Sequence, residues 1–381
     1  MEWRMVLPSD TWKKALGAGE WSVGRLSAEA DRLGQRIVLV GGAVRDHLLG
    51  LPIGDLDLAV EGDAIRLARA VVQKYGGDIR IQADFGTAKW MPKSDDSPGK
   101  CGVGIDLASA RRETYAAPAA LPKVSAATLE EDLARRDFSC NAMAVSMNAG
   151  SFGELIDPFG GRADLEAGVI RALHRTSFDD DPTRMWRAAR FAGRYGFQVE
   201  SETQQWIADA QLRGSLAALG LERLGQEVGR LLEEPRALEE LRVAQRLGLT
   251  RNICKALDHR QKWLGLVEKA QLAWSEHGQG LVSQADVLWL AVALSIPLDR
   301  RKAMVRMIPG GKQLQSRWID GPEALCQSMK GLGRLKRRSS VGRRLERLDL
   351  VSVVAGFSMV SGPRARDWLA WWIGEGRHIE T

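Results

Sequence analysis

Near Asp157 this 381-residue chain stops making strands. Before that point short β-type runs at Arg36–Val40, Asp55–Val60, Asp78–Gln82, Val103–Ser109 and Ala142–Met147 alternate with helical stretches at Ala43–Leu49 and Asp63–Tyr75. Turn residues at Asp95–Pro98 and Gly99–Gly104 separate two of the strands. After it, Asp181–Tyr195, Glu202–Gln211, Leu221–Leu232, Pro235–Leu247 and Val282–Ser295 place apolar residues at three- and four-residue spacing, the period of a helix face. A chain so divided is α+β, a strand-bearing first part followed by helices only.

Composition narrows the setting. The chain is long enough for two to four packed units, and no apolar run reaches the ~18 residues that span a bilayer. The N-terminal MEWRMVLPSDTWKKALG is polar and broken by Pro8, unlike a secretory signal. Cys101, Cys140, Cys254 and Cys326 form no CxxC pair, which speaks against zinc or a disulfide framework and fits a reducing cytoplasm. A net charge of +6 favours a polyanionic partner. The 13 tryptophans, spread from Trp3 to Trp372, read as core and helix-packing residues.

Chemistry concentrates in four places. In Val38–Ala64 a strand runs into Gly41-Gly42 and then a helix, so backbone amides can approach a phosphate, with Arg45 one turn on. The pattern is neither the dinucleotide GxGxxG nor a P-loop. Ten residues after Arg45 comes Asp55-Leu56-Asp57-Leu58. On a strand, residues i and i+2 face the same way, so the two carboxylates share one side while the leucines face the core. Adjacent carboxylates repel unless a cation lies between them, and oxygen-only ligands suit Mg²⁺. An isolated pair of this kind is more often a solvated edge; its place behind the Gly-Gly-helix turn argues otherwise. Asp106, on a later β-type run, is a candidate third carboxylate for two-metal phosphoryl transfer, with a surface acid as the alternative.

The cluster Arg135-Arg136-Asp137-Phe138-Ser139-Cys140-Asn141 offers two cations, an acid and an amide for a triphosphate and sugar, or else a salt-bridged loop. In Asp179–Phe197, Asp181-Pro182 reads as a helix start with Asp181 as cap, placing Asp181 and Arg184 on one face and Arg187 and Arg190 further round. Near the end, Leu335–Leu348 gathers Lys336, Arg337, Arg338, Arg343, Arg344 and Arg347, either a solvated helix face or a phosphate-contacting surface.

Together GGAVRD, GDLDLAV, RRDFSCNAMA, LIDPFGG and DDPTRMWRAARF resemble the class II CCA-adding tRNA nucleotidyltransferases and their relatives, the bacterial poly(A) polymerases, in order and spacing over about residues 36–200. The resemblance implies a mixed β-sheet nucleotidyltransferase head (1–150), a helical neck that recognises the base (151–215), a helical body (216–310) and a basic helical tail that binds tRNA (311–381). It implies Mg²⁺ on Asp55 and Asp57, triphosphate contacts from Gly42, Arg45 and Arg136, and base reading by Asp181 and Arg184 with Arg187 and Arg190 nearby. CTP and ATP are the expected substrates and the tRNA acceptor end the expected partner, with no membrane and no obligate protein partner. Ser139-Cys140 stands where Thr-Ile is commoner, and DDPTR where many members have an ED-x-x-R form; neither threatens activity. No His-Asp dipeptide marks a phosphohydrolase domain, and Asp84–Lys89 (DFGTAK) is like the tRNA enzymes rather than the poly(A) polymerases. Arg111–Leu133 occupies the family's flexible-loop region and leans towards A addition, although its start is also similar to lineages that divide the work between CC-adding and A-adding enzymes. The competing readings are a poly(A) polymerase and an RNA-binding protein with a retired active site. The intact Asp55/Asp57 pair argues against the last.

Overall fold

The computed structural model describes residues 4–6, 9–16, 20–93, 104–117, 119–120, 122–257, 262–308 and 317–378. The chain divides into two compact units, one of residues 1–181 and 198–206, the other of residues 182–197 and 207–381.

The first unit is built on an eight-stranded mixed sheet. Its strands are β1 (Arg4–Val6), β2 (Arg36–Val40), β3 (Leu56–Glu61), β4 (Asp78–Gln82), β5 (Thr87–Met91), β6 (Ile105–Ser109), β9 (Ala144–Ser146) and β10 (Glu154–Ile156). The order is β1-β10-β9-β2-β3-β6-β5-β4, and β3 with β6 is its one parallel pair. A separate hairpin of β7 (Arg111–Thr114) and β8 (Lys123–Ala126) follows β6. The unit's helices are α1 (Ser9–Leu16), α2 (Glu20–Leu33), α3 (Gly42–Leu48), α4 (Ala64–Tyr75), α5 (Leu129–Ala134), α6 (Gly161–Ala167) and α7 (Ser177–Asp180).

Alternation along the strands sorts the two faces. Val38, Val40, Ala59, Ala144 and Ile156 form one apolar cluster with Leu129 and Leu133 of α5. Asp57, two residues before Ala59, shares that face. α5 therefore docks beside the acids, and its start is fixed by a capping box in which Thr128 Oγ1 accepts from the Glu131 amide and the Glu131 carboxylate accepts from the Thr128 amide.

The strand runs at Arg36–Val40 and Asp78–Gln82 appear with the expected bounds. Other expectations shift, and the stretch read as helices only also holds a short parallel pair, Val169–Ile170 with Gln198–Val199. β3 begins at Leu56, so Asp55 lies just ahead of the strand. The region read as a flexible loop, Arg111–Leu133, holds the β7–β8 hairpin and most of α5. The turn at Asp95–Pro98, and Gly99–Gly104 except for Gly104, lie outside the described residues.

The second unit is helical: α8 (Thr183–Tyr195), the end of α9 (Ser201–Leu212), α10 (Ser215–Ala218), α11 (Leu221–Glu233), α12 (Ala237–Arg246), α13 (Lys262–His277) and α14 (Gln284–Leu294). Further helices follow at Leu298–Val305, Gly321–Met329, Arg338–Leu345, Leu350–Gly356 and Pro363–Gly374. Trp186, Trp263 and Trp318 are buried here, as Trp12 and Trp90 are in the first unit.

α8 and α12 pack so closely that a Cβ on Gly193 would stand 2.4 Å from the Glu240 Cα. Glu240 is fully buried, and neither carboxylate oxygen has a hydrogen-bond partner. Burial and the nearby Glu234 push its carboxyl up to about 9, against the pull of Arg190, Arg194 and Arg236. A group whose folded pKa is raised holds its stabilisation below the unfolded value and loses it as pH rises through the folded one. The helical unit should therefore weaken progressively between about pH 4.5 and 9, and Glu240→Gln should flatten that slope. Denaturant midpoints across this range check it; an unchanged slope in the variant would show that Glu240 is not the titrating group.

Candidate active site

The sheet register lays charged residues side by side. Asp57 on β3 pairs with Asp106 on β6, Asp106 with Lys89 on β5, and Lys89 with Arg80 on β4. Two acids and two bases thus form one cross-strand row. All four line a cavity of about 520 Å³, together with Arg111 and with Asp132, Arg135 and Arg136 from α5 and its end. Leu56 and Leu58 are buried on the opposite face, as the alternation required.

The electrostatics agree with the geometry. Burial raises the Asp57 carboxyl above its ordinary value, and Asp106 and Asp55 raise it further, while Arg136 and Lys89 oppose them. Lys89 donates to the Asp106 carboxylate at 2.8 Å, and this bond holds the ammonium above its usual range. Asp55, Asp57 and Asp106, all candidates from the sequence, are brought together; Lys89, Arg80, Arg111 and Asp132 were not among them. No sequence pattern marks those four, because only tertiary structure gathers them: the pairing of β4, β5 and β6 places Arg80 and Lys89, and β7 and α5 bring Arg111 and Asp132. Among the described residues, no three His, Cys, Asp or Glu side chains already stand in a metal-binding cluster.

The phosphate-binding candidates converge as well. Gly41 has φ 68°, the left-handed region, and a Cβ there would meet Arg136 Nη1 at 2.9 Å. Only glycine satisfies both demands. Gly42 opens the seven-residue α3. Arg45 is buried, and its guanidinium donates to Asn141 Oδ1 at 2.6 Å and to Asp46 Oδ1 at 2.8 and 2.9 Å. Asn141 Nδ2 in turn donates to Asp137 Oδ1 at 2.9 Å. Arg45, Asn141 and Asp137 are thus one buried chain, and Arg45 is braced within it rather than projecting alone from the first turn. Cys140, between them in sequence, is fully buried; burial and Asp137 push its thiol up to about 12, which leaves it unreactive.

The base-reading candidates fall on both sides of the division between units. Asp181 closes one unit in extended backbone, between α7 and α8. Pro182 occupies the cap position of α8 and Thr183 begins the helix, a later start than the sequence suggested. The three-residue spacing of Asp181 and Arg184 therefore spans a helix start instead of lying within a turn. On α8, Arg184 and Arg190 are buried; Arg190 pairs with Glu227 at 3.6 Å, and both Arg187 and Arg190 lie over the Phe191 ring.

Of the basic C-terminal run, Lys336, Arg337, Arg338 and Arg343 are exposed, whereas Arg344 is half-buried and donates to the Lys330 carbonyl at 2.6 Å. Arg338 stands over the Trp371 ring at 5.4 Å.

Asp57 is therefore a carboxylate held where its charge is disfavoured. Its raised folded pKa costs stability as pH rises past the carboxylate range. Asp57→Asn should withstand more denaturant than the wild type at pH 7, with the gap narrowing as pH falls. Equal or lower stability of the variant at pH 7 would refute the strain.

Residues 37–171 match the family model described as the poly(A) polymerase head domain. The chain is 42% identical over 235 residues to the A-adding tRNA nucleotidyltransferase of Halalkalibacterium halodurans, covering 59% of this chain and 53% of that one, so it spans about half the length of this curated relative. A solved CCA-adding enzyme in its apo form II superposes with a TM-score of 0.87 at 28% identity, over 100% of this chain and 89% of the other. The Thermotoga maritima CCA-adding enzyme complexed with tRNA gives 0.80 at 26% identity, over 97% and 86%. Residues 37–171 are thus similar to the poly(A) polymerase head domain, and the chain as a whole has the fold of the CCA-adding enzymes.

Proposed function

We propose that this chain is a template-independent nucleotidyltransferase that adds C, A or both to the 3′ end of tRNA, completing all or part of CCA from CTP and ATP. The observation that carries the reading is the row Asp57–Asp106–Lys89 on the cavity wall within electrostatic reach of Arg136. Nucleotidyl transfer needs acids at the reacting phosphorus and a cation on the triphosphate in one small space. The tRNA bound to the similar Thermotoga enzyme and the name of the Halalkalibacterium relative support tRNA as acceptor.

Mg²⁺ fits the donors present. Asp106 and Asp55 raise the cost of ionising Asp57, and a cation among the three relieves it. Asp55 and Asp57 would hold the ion, with Asp106 joining once Lys89 releases it. Bound there, Mg²⁺ supplies neutralising charge for the attacking hydroxyl and the leaving group. In the transfer, the RNA 3′ oxygen forms a bond to the α-phosphorus, the bond to the β-phosphate oxygen breaks, pyrophosphate leaves and the hydroxyl proton passes to water. Arg136 and the Gly42 amide hold the triphosphate in line, the expected Gly41 amide being taken by the Met143 carbonyl at 3.3 Å, and the Arg45–Asn141–Asp137 chain keeps that wall in shape.

Base choice needs no nucleic-acid template. C and A both present an exocyclic amine beside a ring-nitrogen acceptor, for which Asp181 accepts and Arg184 donates. G and U reverse that order and leave both side chains unpaired. Arg187 and Arg190 back this pair on α8. The exposed Lys336, Arg337, Arg338 and Arg343, with Arg344, are proposed to meet tRNA phosphates. The functional division into head (1–150), neck (151–215), body (216–310) and tail (311–381), and a cytoplasmic location, belong to the same reading.

Incubation with Mg²⁺, CTP and ATP on tRNAs ending at the discriminator base, at C and at CC should give products no longer than CCA, and Asp57→Ala should give none. Long A tails on any RNA would make the chain a poly(A) polymerase instead, and activity retained by Asp57→Ala would remove the acid row from the mechanism. Asp181→Asn should melt close to the wild type yet lose about one to two decades of discrimination against UTP and GTP. A variant that melts early and keeps strict choice would leave Asp181 as a structural residue only.

A further inference from the structure

The charges that α5 brings to the cavity are tied to one buried carboxylate that the sequence did not mark. Asp132 is 1% exposed. Its Oδ1 accepts from Arg135 Nε at 3.0 Å, Arg135 Nη2 at 2.7 Å and the Arg111 amide at 3.2 Å, and its Oδ2 accepts from Arg136 Nη2 at 3.1 Å. Burial works to raise this carboxyl, but Arg136 and Arg135 outweigh it and hold it below the usual carboxylate range.

The two arginines it holds are not equivalent. Arg135 is taken on every side. Beyond Asp132, its Nη1 donates to Glu113 Oε1 at 2.9 Å and its Nε to the Arg111 carbonyl at 3.1 Å. Glu113, itself nearly buried, also accepts from the Arg111 guanidinium at 3.1 and 3.2 Å and from the Tyr115 hydroxyl at 2.7 Å. Among the described residues the Arg136 side chain has one hydrogen-bond partner, Asp132, while its Nε is buried without a hydrogen bond and a Cβ on Gly41 would stand 2.9 Å from its Nη1. A half-buried guanidinium with spare donors at a cavity wall is suited to an incoming anion.

We propose that Asp132 is a positioning residue for the nucleotide triphosphate: it aims Arg136 into the cavity through Oδ2 while Oδ1 fastens Arg135 as a strut between α5 and the β7–β8 hairpin. The assignment rests on the nucleotidyltransferase reading above. Asp132 touches no reacting atom. Of the two arginines it holds, it fixes the orientation of the one with donors left over, and so its effect on substrate passes through Arg136. Rotating Arg136 away from Gly41 removes a charge-assisted grip on phosphate, while the pairing of β3 with β6 keeps the acids in place.

A double-mutant cycle on the full chain tests this. Nucleotide affinity is read by calorimetry with α,β-methylene ATP and CTP, so no turnover is needed, and KM, kcat and melting temperature are read beside it. Asp132→Asn should weaken nucleotide binding about tenfold or more and raise KM more than it lowers kcat, with tRNA affinity unchanged. Arg136→Gln should do the same, and the double variant should be no worse than Arg136→Gln alone. Arg135→Gln should lower the melting temperature more than it weakens nucleotide binding. Additive losses in the Asp132/Arg136 cycle, or an unchanged nucleotide affinity in Asp132→Asn, would overturn the role. Should Asp132→Asn fail to fold, Asp132→Glu, which keeps the charge and displaces it by one methylene, carries the same cycle to the same two outcomes. A wild type that binds both nucleotides but extends no tRNA would sink the proposed function alone, whereas additivity in a wild type that extends tRNA would sink only the part given to Asp132.

Discussion

Like charges do not sit side by side unless something else holds them there, and in this chain the sheet does. The parallel register of β3 and β6 sets Asp57 beside Asp106, with Asp55 at the strand entrance. The cost shows in the raised Asp57 carboxyl. It is met on the other face, where Leu56, Leu58, Ile105 and Leu107 are buried. Each strand pays no local penalty it cannot absorb, because alternation delivers one apolar and one polar face from the same five or six residues. Lys89, one strand over, partly compensates the acids, and as a long flexible cation it can yield to a better-placed one.

The opposing wall follows a different rule. Its cations are ordered by buried acceptors rather than by register: the carboxylates of Asp132 and Glu113 hold Arg135 and Arg111, and the amide oxygen of Asn141 holds Arg45. Buried ion pairs contribute less to stability than to fixing one geometry, since breaking one strands its partner in a low dielectric. The helical unit shows the same habit, with Glu227 between Arg190 and Arg230, and Glu234 taking Arg194 at 2.5 and 2.8 Å. Arg190 and Arg194 of α8 are therefore anchored from α11 and its end before any ligand arrives.

Periodicity made the sheet legible, and motif spacing made the acids legible. Arg36–Val40 and Asp78–Gln82 have clean bounds because their alternation ends at turn or charged residues. Arg111–Leu133 was not legible as structure: its Ala and Pro content suggests a loop, and the hairpin within it exists because Arg111 and Glu113 are tied to Asp132 and Arg135, partners about twenty residues away. The signal that could have been read is Thr128-Leu129-Glu130-Glu131, a capping box ahead of α5. Asp132 and Lys89 stayed invisible because a lone charge on a helix or strand has no pattern of its own. The start of α8 was misplaced because Asp181-Pro182 satisfies a general capping rule, while the extended backbone at Asp181 puts the helix start beyond Pro182.

The parallel pairing of β3 and β6 also bears on the order in which the molecule comes into being. Parallel neighbours cannot be joined by a tight turn, and the connection here runs through α4, β4 and β5 before β6 can dock. Asp57 emerges from the ribosome well before Asp106, and the Arg136 that faces them comes later still. Long-range pairings of this kind close late in folding. A nascent chain that has made β2, α3 and β3 already displays its Gly-Gly turn and its first two acids, yet has neither the third acid nor the opposing cation. The acids and the cation that faces them are therefore together only after β6 has been inserted and α5 has docked.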